Sequence, residues 1–205
     1  MKNKSCEKKI YCRFIKRILD IIFSFLLIVF LLLPMLIIAV VIRSESEGRA
    51  IFKQKRIGRC GKIFVCYKFR TMYVNAPSSR PASKFEDSAK YITRVGVFLR
   101  RTSLDELPQL FNVLKGDMSI IGPRPLICEE GEIHKRRMDR GVYMLRPGIT
   151  GIAQINGRNL LEDDEKLQGD VYYLENIKLW LDFKILFRTV FKVAKGEGVV
   201  GKEIE

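Results

Sequence analysis

The chain has 205 residues, with 37 Lys or Arg against 23 Asp or Glu and a single His, so its formal net charge is +14. An apolar content of 47% excludes a disordered chain, and the length argues for one domain with an appendage rather than two independent lobes. Only Ser24 and Pro34 interrupt the apolar run from Ile21 to Ile42, which argues against a purely soluble protein.

Residues 1–50 form a basic N-terminus and a hydrophobic segment. Lys2, Lys4, Lys8, Lys9, Arg13, Lys16 and Arg17 stand against Glu7 and lead directly into the apolar run. The start resembles a signal peptide, but the run is longer than an h-region and Arg43-Ser-Glu-Ser-Glu offers no small-residue cleavage site, so a retained anchor is expected. At about 1.5 Å per residue, positions 21–42 make a helix of roughly 33 Å, long enough to cross the hydrocarbon core. Charge argues otherwise: Arg43, Arg49, Lys53, Lys55, Arg56 and Arg59 follow the run, and the positive-inside rule holds both flanks in the cytosol. A kink at Pro34, where the helix loses a hydrogen bond, would return the chain to the side it entered. The two topologies are thus a re-entrant helix with Pro34 at its deepest point and a single span. The spacing of Arg17 and Asp20 lets them pair on one helix face at headgroup depth.

In residues 51–205, Ile51–Ile57 and the alternating Ile63 to Phe69 flank Gly58-Arg-Cys-Gly61, which predicts a β-hairpin. One face carries Ile63, Val65, Tyr67 and Phe69, leaving Lys68 on the other with a free ammonium. The glycines do not form a nucleotide-binding P-loop, because only two residues separate Gly58 from Gly61-Lys62 and Ile63 replaces the Ser or Thr. Asn75 to Lys90 is expected to be a surface loop. Leu107, Leu110, Phe111 and Leu114 predict a short amphipathic helix closed by Gly116. In the C-terminal helix, Lys184, Arg188, Lys192 and Lys195 form a basic stripe beside an apolar arc that includes Trp180, Phe183 and Phe187. Such a helix either packs on the core with a solvated basic face or lies in the headgroup layer.

Five cysteines (Cys6, Cys12, Cys60, Cys66 and Cys128) include no C-x-x-C pair, which argues against a disulfide framework and a zinc ribbon. Reduced, cytosol-facing thiols are expected. The basic balance predicts anionic partners, and charge alone does not choose among lipid headgroups, nucleic acid and phosphorylated small molecules.

The chemistry concentrates in Arg100-Arg-Thr-Ser-Leu-Asp105-Glu106-Leu-Pro-Gln109. If Leu107 is the centre of a buried stripe, Asp105 points away from the core at a helix N-terminus. Either Ser103 and Glu106 form a capping box, or Asp105 is the N-cap and Pro108 lies in the first turn. Arg100, Arg101, Arg124 and Arg146 are the cations a phosphoryl-transfer site needs, and the paired carboxylates suit Mg²⁺. A carboxylate can also attack phosphorus directly. Gly122-Pro-Arg124-Pro125 makes a rigid, guanidinium-bearing loop. Arg146-Pro-Gly-Ile-Thr-Gly151, Gln154, Asn156, Gly157 and Arg158 offer backbone N–H groups and amides for phosphate and a nucleobase edge. His134 lies in a basic run expected to be solvated.

The strings FKQKRIGRCGKIFVCYKFRTM, RRTSLDELPQLFNVLKGDMSIIGPRPL and RPGITGIAQINGRN closely resemble the monotopic phosphoglycosyl transferases, the bacterial sugar transferase family that begins assembly of capsule, O-antigen, exopolysaccharide and some N-linked glycans. The resemblance runs from about Lys16 to Val193, and the length matches the family's minimal form. It implies an α/β fold in which helices surround a β-hairpin, with a re-entrant membrane helix and interfacial amphipathic helices at the cytoplasmic face of the bacterial inner membrane. It implies transfer of a sugar 1-phosphate from a UDP-sugar to polyprenyl phosphate, with release of UMP. Asp105 matches the family nucleophile, which forms a covalent phosphosugar intermediate, Glu106 matches its dyad partner, and magnesium is expected there. Lys68, Arg100, Arg124, Arg158, Asp170 and Asp182 match further active-site positions, and Arg17 matches a headgroup-contacting residue. The family's helix-breaking Ser-Pro is Leu33-Pro34 here. The Gly-Pro before the first strand is Gly48-Arg49, and Asp163 stands where many members carry Trp.

Two rivals follow from the residues. One is a noncatalytic, membrane-tethered module that binds anionic lipid or nucleic acid, which the acidic dyad opposes; no aromatic stacking platform points to nucleic acid. The other is a glycosyl transferase, which releases UDP instead of UMP.

Overall fold

The computed structural model describes residues 11–76, 88–157 and 161–195. A π-helical turn, Tyr11–Ile15, leads into helix α1, Lys16–Glu45. At about 1.5 Å per residue α1 is roughly 45 Å long. The helix runs through Pro34, which lies exposed. Asp20, Ser24, Ile28, Met35 and Ile42 are buried, and Leu31 and Ile38 are partly so. These positions recur every three or four residues and make a single docked stripe. Around the rest of the helix, Phe25, Val29, Phe30, Leu33 and Val40 are more than half exposed. By length and composition alone α1 is apolar enough to cross a membrane, with a mean hydropathy of 3.4 over an 18-residue stretch.

The hairpin forms as expected. Strands β1, Ile51–Ile57, and β2, Ile63–Phe69, pair antiparallel with Ile51 opposite Phe69 and Ile57 opposite Ile63. Both of its faces contribute to packing: Phe69 of the odd-numbered apolar set is buried against α1, while the even-numbered residues pack elsewhere. Ile63 is 62% exposed, whereas Cys66 is buried with Val113 and Met118 and Phe64 packs beside them. Burial pushes the Cys66 thiol above its ordinary pKa, so it is an inert packing group. The expected loop falls partly on residues 77–87, outside the described residues; Ser88–Tyr91 is a turn of 3₁₀ helix.

Helix α2, Arg94–Arg101, is N-capped by Thr93, whose hydroxyl accepts from the Gly96 N–H. Helix α3, Gln109–Lys115, ends at Gly116 in the left-handed region (φ 95°), as expected. Its buried face is Gln109, Leu110, Asn112 and Val113; of the expected stripe, Leu110 is buried, Leu107 packs partly buried against the Phe69 cluster, and Phe111 is exposed. Asn112 acts as a strand substitute: Oδ1 accepts from the Tyr67 N–H at 3.0 Å and Nδ2 donates to the Val65 carbonyl at 2.7 Å. This fixes β2 against α3.

Strands β3, Ser119–Ile121, and β4, Gly148–Thr150, form a second, parallel pair. Between them lies α4, Gly131–Asp139, and after them come α5, Ile152–Asn156, α6, Asp163–Asn176, and α7, Leu179–Lys195. A capping box between Glu162 and Glu165 starts α6. One core cluster joins Ile121, Ile155, Tyr173, Leu174, Ile177, Leu181 and Ile185; another joins Met35 and Ile42 of α1 to Phe69 and Leu99. One stripe of the apolar N-terminal segment is therefore part of the core, while the rest of its surface is exposed.

Candidate active site

The dyad sits on a kink between two helices. After α2, Ser103 adopts a left-handed conformation (φ 56°), and Leu104–Glu106 forms one 3₁₀ turn before α3. Neither expected cap forms, because Ser103 makes no side-chain cap and the residue preceding α3 is Pro108. A left-handed Ser costs energy, and strain of this kind persists only where the surroundings hold it. Here it turns Asp105 and Glu106 toward β2.

Lys68 Nζ donates to Glu106 Oε1 at 2.8 Å, so the ammonium expected to be free is paired. Arg124 Nη1 lies 3.8 Å from the same oxygen. Arg100 is held from behind by its Nε, which donates to Thr71 Oγ1 at 2.9 Å, and its charge acts on Asp105. The close approach of α2 to Thr71 depends on Gly96, where a Cβ would stand 2.1 Å from the Thr71 carbonyl oxygen. Burial is the largest influence on the Asp105 carboxyl and raises its pKa; Lys68 pulls it down, Glu106 pushes it up, and Arg100 and Arg124 pull it down more weakly. Two carboxylates among three cations leave a net positive site around a carboxylate at its rim, which suits an incoming diphosphate.

The Arg124 loop is shaped by backbone contact between glycines. A Cβ at Gly148 would lie 2.1 Å from the Gly122 nitrogen, and one at Gly151 would lie 2.1 Å from the Gly122 oxygen. The Gly122 N–H donates to the Thr150 carbonyl and the Gly148 N–H to the Pro123 carbonyl. The Gly148 N–H lies in the stretch expected to offer backbone donors to phosphate; with the Gly122 N–H it instead holds the two loops together. Arg56 Nη1 donates to the Pro125 carbonyl at 2.8 Å, and Arg137 Nη1 donates to the Arg124 carbonyl at 2.8 Å.

Lys68, Arg100, Asp105, Glu106 and Arg124 thus converge. Asp170, expected at the site, pairs instead with Arg137, and both side chains are 1% exposed. Burial pushes the Asp170 carboxyl up to about 6, with Arg137 pulling it down. Asp182, likewise expected at the site, accepts from Tyr11 Oη (2.6 Å), Lys16 Nζ (2.7 Å) and Tyr173 Oη (2.6 Å), tying the foot of α1 to α6 and α7. Arg146 Nε donates to the Gly116 carbonyl at 2.9 Å, and Arg17 donates to the Val113 and Leu114 carbonyls at 2.6 and 3.0 Å. Both arginines cap the C-terminal end of α3, where the helix dipole favours positive charge. Asp20 is buried and accepts from the Ile120 N–H at 3.1 Å, so the expected Arg17–Asp20 pair is not made. Gln154 is buried with no partner for either amide atom among the described residues, Asn156 is exposed, and Arg158 lies outside the described residues. His134 is not solvated: Nε2 contacts the Ile127 carbonyl at 2.6 Å and Nδ1 contacts Tyr143 Oη, so both ring nitrogens are engaged.

Sequence reasoning missed Arg137, Arg56, Asn112 and Thr71. Of these, Asn112 alone left a signal, as a polar residue within an apolar helical stripe.

The bacterial sugar transferase profile matches residues 11–196. An undecaprenyl-phosphate galactose phosphotransferase of Salmonella typhimurium is 40% identical over 200 residues, covering 91% of this chain and 42% of that protein. A UDP-glucose:undecaprenyl-phosphate glucose-1-phosphate transferase of Klebsiella pneumoniae is 44% identical over 186 residues, covering 86% and 39%. An uncharacterized sugar transferase of Bacillus subtilis is 40% identical over 185 residues, covering 90% of each. The chain therefore spans about two fifths of the length of the first two relatives and most of the third. On these matches the chain belongs to the bacterial sugar transferase family.

Proposed function

We propose that the protein transfers a sugar 1-phosphate from a UDP-sugar to undecaprenyl phosphate at the cytoplasmic face of the bacterial inner membrane, initiating glycoconjugate assembly. The observation that carries this reading is the partly exposed Asp105 carboxylate among Lys68, Arg100 and Arg124, beside a Glu106 held by Lys68. An Asp105 oxygen attacks the β-phosphorus of the donor. The bond from that phosphorus to the bridging oxygen breaks, UMP leaves with the electron pair, and an acyl phosphate carries the sugar. An oxygen of undecaprenyl phosphate then attacks the same phosphorus and frees the carboxylate. Lys68, Arg100 and Arg124 stabilise the charge that develops on the phosphoryl oxygens.

Among the described residues, no group of three or more His, Cys, Asp or Glu side chains forms a metal cage. A pair of carboxylates nevertheless fits Mg²⁺, which is commonly bound by one or two carboxylates with substrate phosphates completing the shell. Asp105 and Glu106 would hold it, and it would neutralise diphosphate charge when bound.

The membrane placement is re-entrant, with both flanks of α1 cytosolic. Two contacts support it. Arg17, at one end of α1, is bonded to α3, and Arg70, beyond β2, donates to the Ser46 carbonyl at 2.8 Å just past the other end. Both ends therefore dock on one domain.

The reaction is tested by mixing the protein with a turnover-competent UDP-sugar alone. The expected result is release of about one UMP per active site with retention of labelled phosphosugar, and Asp105→Asn should abolish the label. If no UMP and no label appeared until undecaprenyl phosphate was added, the covalent scheme would be overturned.

A further inference from the structure

Away from the dyad, α5, α6 and α7 enclose a cavity of about 550 Å³. Its floor is aliphatic, formed by Ile152, Ile155, Leu161, Leu181 and Ile185. Lys184 and Arg188, one helical turn apart on α7, line one wall, and neither forms a hydrogen bond or ion pair among the described residues. The one carboxylate on the opposite wall, Glu165, is engaged by the Glu162 N–H at 2.9 Å in the capping box. The cavity is therefore a pocket with an apolar base, two cations unpaired among the described residues and one carboxylate, so that positive charge is in excess.

We infer that this pocket binds the phosphodiester headgroup of an anionic membrane phospholipid. Helix geometry sets its place at the membrane. At about 100° per residue, Lys184 and Arg188 fall between the buried positions Leu181 and Ile185 and an exposed arc of Trp180, Phe183, Phe187 and Phe191. With that arc in hydrocarbon, the cations lie at headgroup depth. An ammonium and a guanidinium one turn apart match phosphate oxygens, and the floor accepts the glycerol and the first acyl carbons. The volume is too large for phosphate alone and lies within the range of small-ligand sites. The acceptor phosphate is a poorer occupant, because none of Lys68, Arg100 and Arg124, which surround Asp105, lines the pocket.

The inference rests on the membrane placement proposed above, and its readout, bound lipid, is independent of turnover. The full chain in non-ionic detergent is titrated with phosphatidylglycerol and analysed by native mass spectrometry. About one lipid per chain should be retained, and Lys184→Gln with Arg188→Gln should lower occupancy at least about tenfold. Lys192→Gln with Lys195→Gln removes equal charge from the same stripe outside the pocket and should retain the lipid. Leu161→Glu, a single change at a half-buried position of the pocket floor, should reproduce the loss by repulsion. Equal loss in the Lys192/Lys195 variant, equal retention of phosphatidylcholine, or displacement of the phospholipid by stoichiometric undecaprenyl phosphate would each overturn the assignment.

Discussion

Arg137 bridges the interior between Asp170 and the main chain of Arg124, pairing with the carboxylate through Nη2 and donating from Nη1 to the Arg124 carbonyl. The orientation of a guanidinium at the dyad is thus set from beneath by a residue that does not touch the dyad. Removing one member of a buried pair leaves an uncompensated charge, so Arg137→Met and Asp170→Leu should each cost about 3–5 kcal/mol. The double variant should regain most of that in calorimetry. Its turnover should stay at least about tenfold low, since the Arg124 carbonyl remains unpaired, and recovery of both stability and activity would show that the pair serves packing alone.

The acid limb of the activity profile should move in opposite directions in two variants. As the nucleophile proposed above, Asp105 would react ionised, and burial holds its pKa up, so activity should fall with acidification at a higher pH than an ordinary aspartate, near 3.9, would dictate. Lys68 lowers that pKa and Glu106 raises it. Lys68→Met should therefore shift the limb upward and Glu106→Gln downward in kcat/KM profiles. Shifts of the same sign would contradict this electrostatic account.

Chelation provides a separate test. With EDTA, UMP release from the correct UDP-sugar should cease, and added magnesium should restore it. Full activity in EDTA would remove the metal and leave Lys68, Arg100 and Arg124 as the whole of the charge compensation.

Glycine substitutions should separate a close backbone contact from open space. Gly148→Ala places a Cβ 2.1 Å from the Gly122 nitrogen and should lower the Tm sharply or prevent folding. Gly131→Ala meets nothing within 4 Å at the start of α4 and should be neutral or stabilise by about 0.4–1 kcal/mol. A thermal-melt comparison of the two variants checks both.

The hairpin was legible because alternation and a glycine-bounded turn are local signals, but alternation yields a period and not an orientation. Apolar residues occupy both faces of β2, and which of them are covered is chosen by distant residues, Val113 and Met118 over Cys66 and Met35 and Ile42 over Phe69. The dyad was legible because Arg100, Asp105 and Glu106 lie close together in sequence. Arg137 was not: it sits in Ile-His-Lys-Arg-Arg, which has the composition of a solvated run, and its partner Asp170 is 33 residues away. The glycines misled in a different way, since a glycine that admits a phosphate and one that admits another backbone look alike in a string. Left-handed Ser103 also escaped notice, because nothing in Thr-Ser-Leu announces a residue at φ 56°.

The grip on α1 at both ends has a consequence for the assembled enzyme. Arg17 clasps the end of α3, Asp182 holds Lys16, and Arg70 reaches the Ser46 carbonyl beyond the far terminus. The anchor is therefore no tether on which a soluble head can bob. Under the membrane placement and reaction proposed above, the height of Asp105 above the lipid would be a fixed dimension of the fold, and a carrier confined to the bilayer would have to present its phosphate at that single elevation. A version cut free at Glu45 would also lose Met35 and Ile42 from the core around Phe69, so solubility could not be gained by trimming without damaging the layer beneath the hairpin.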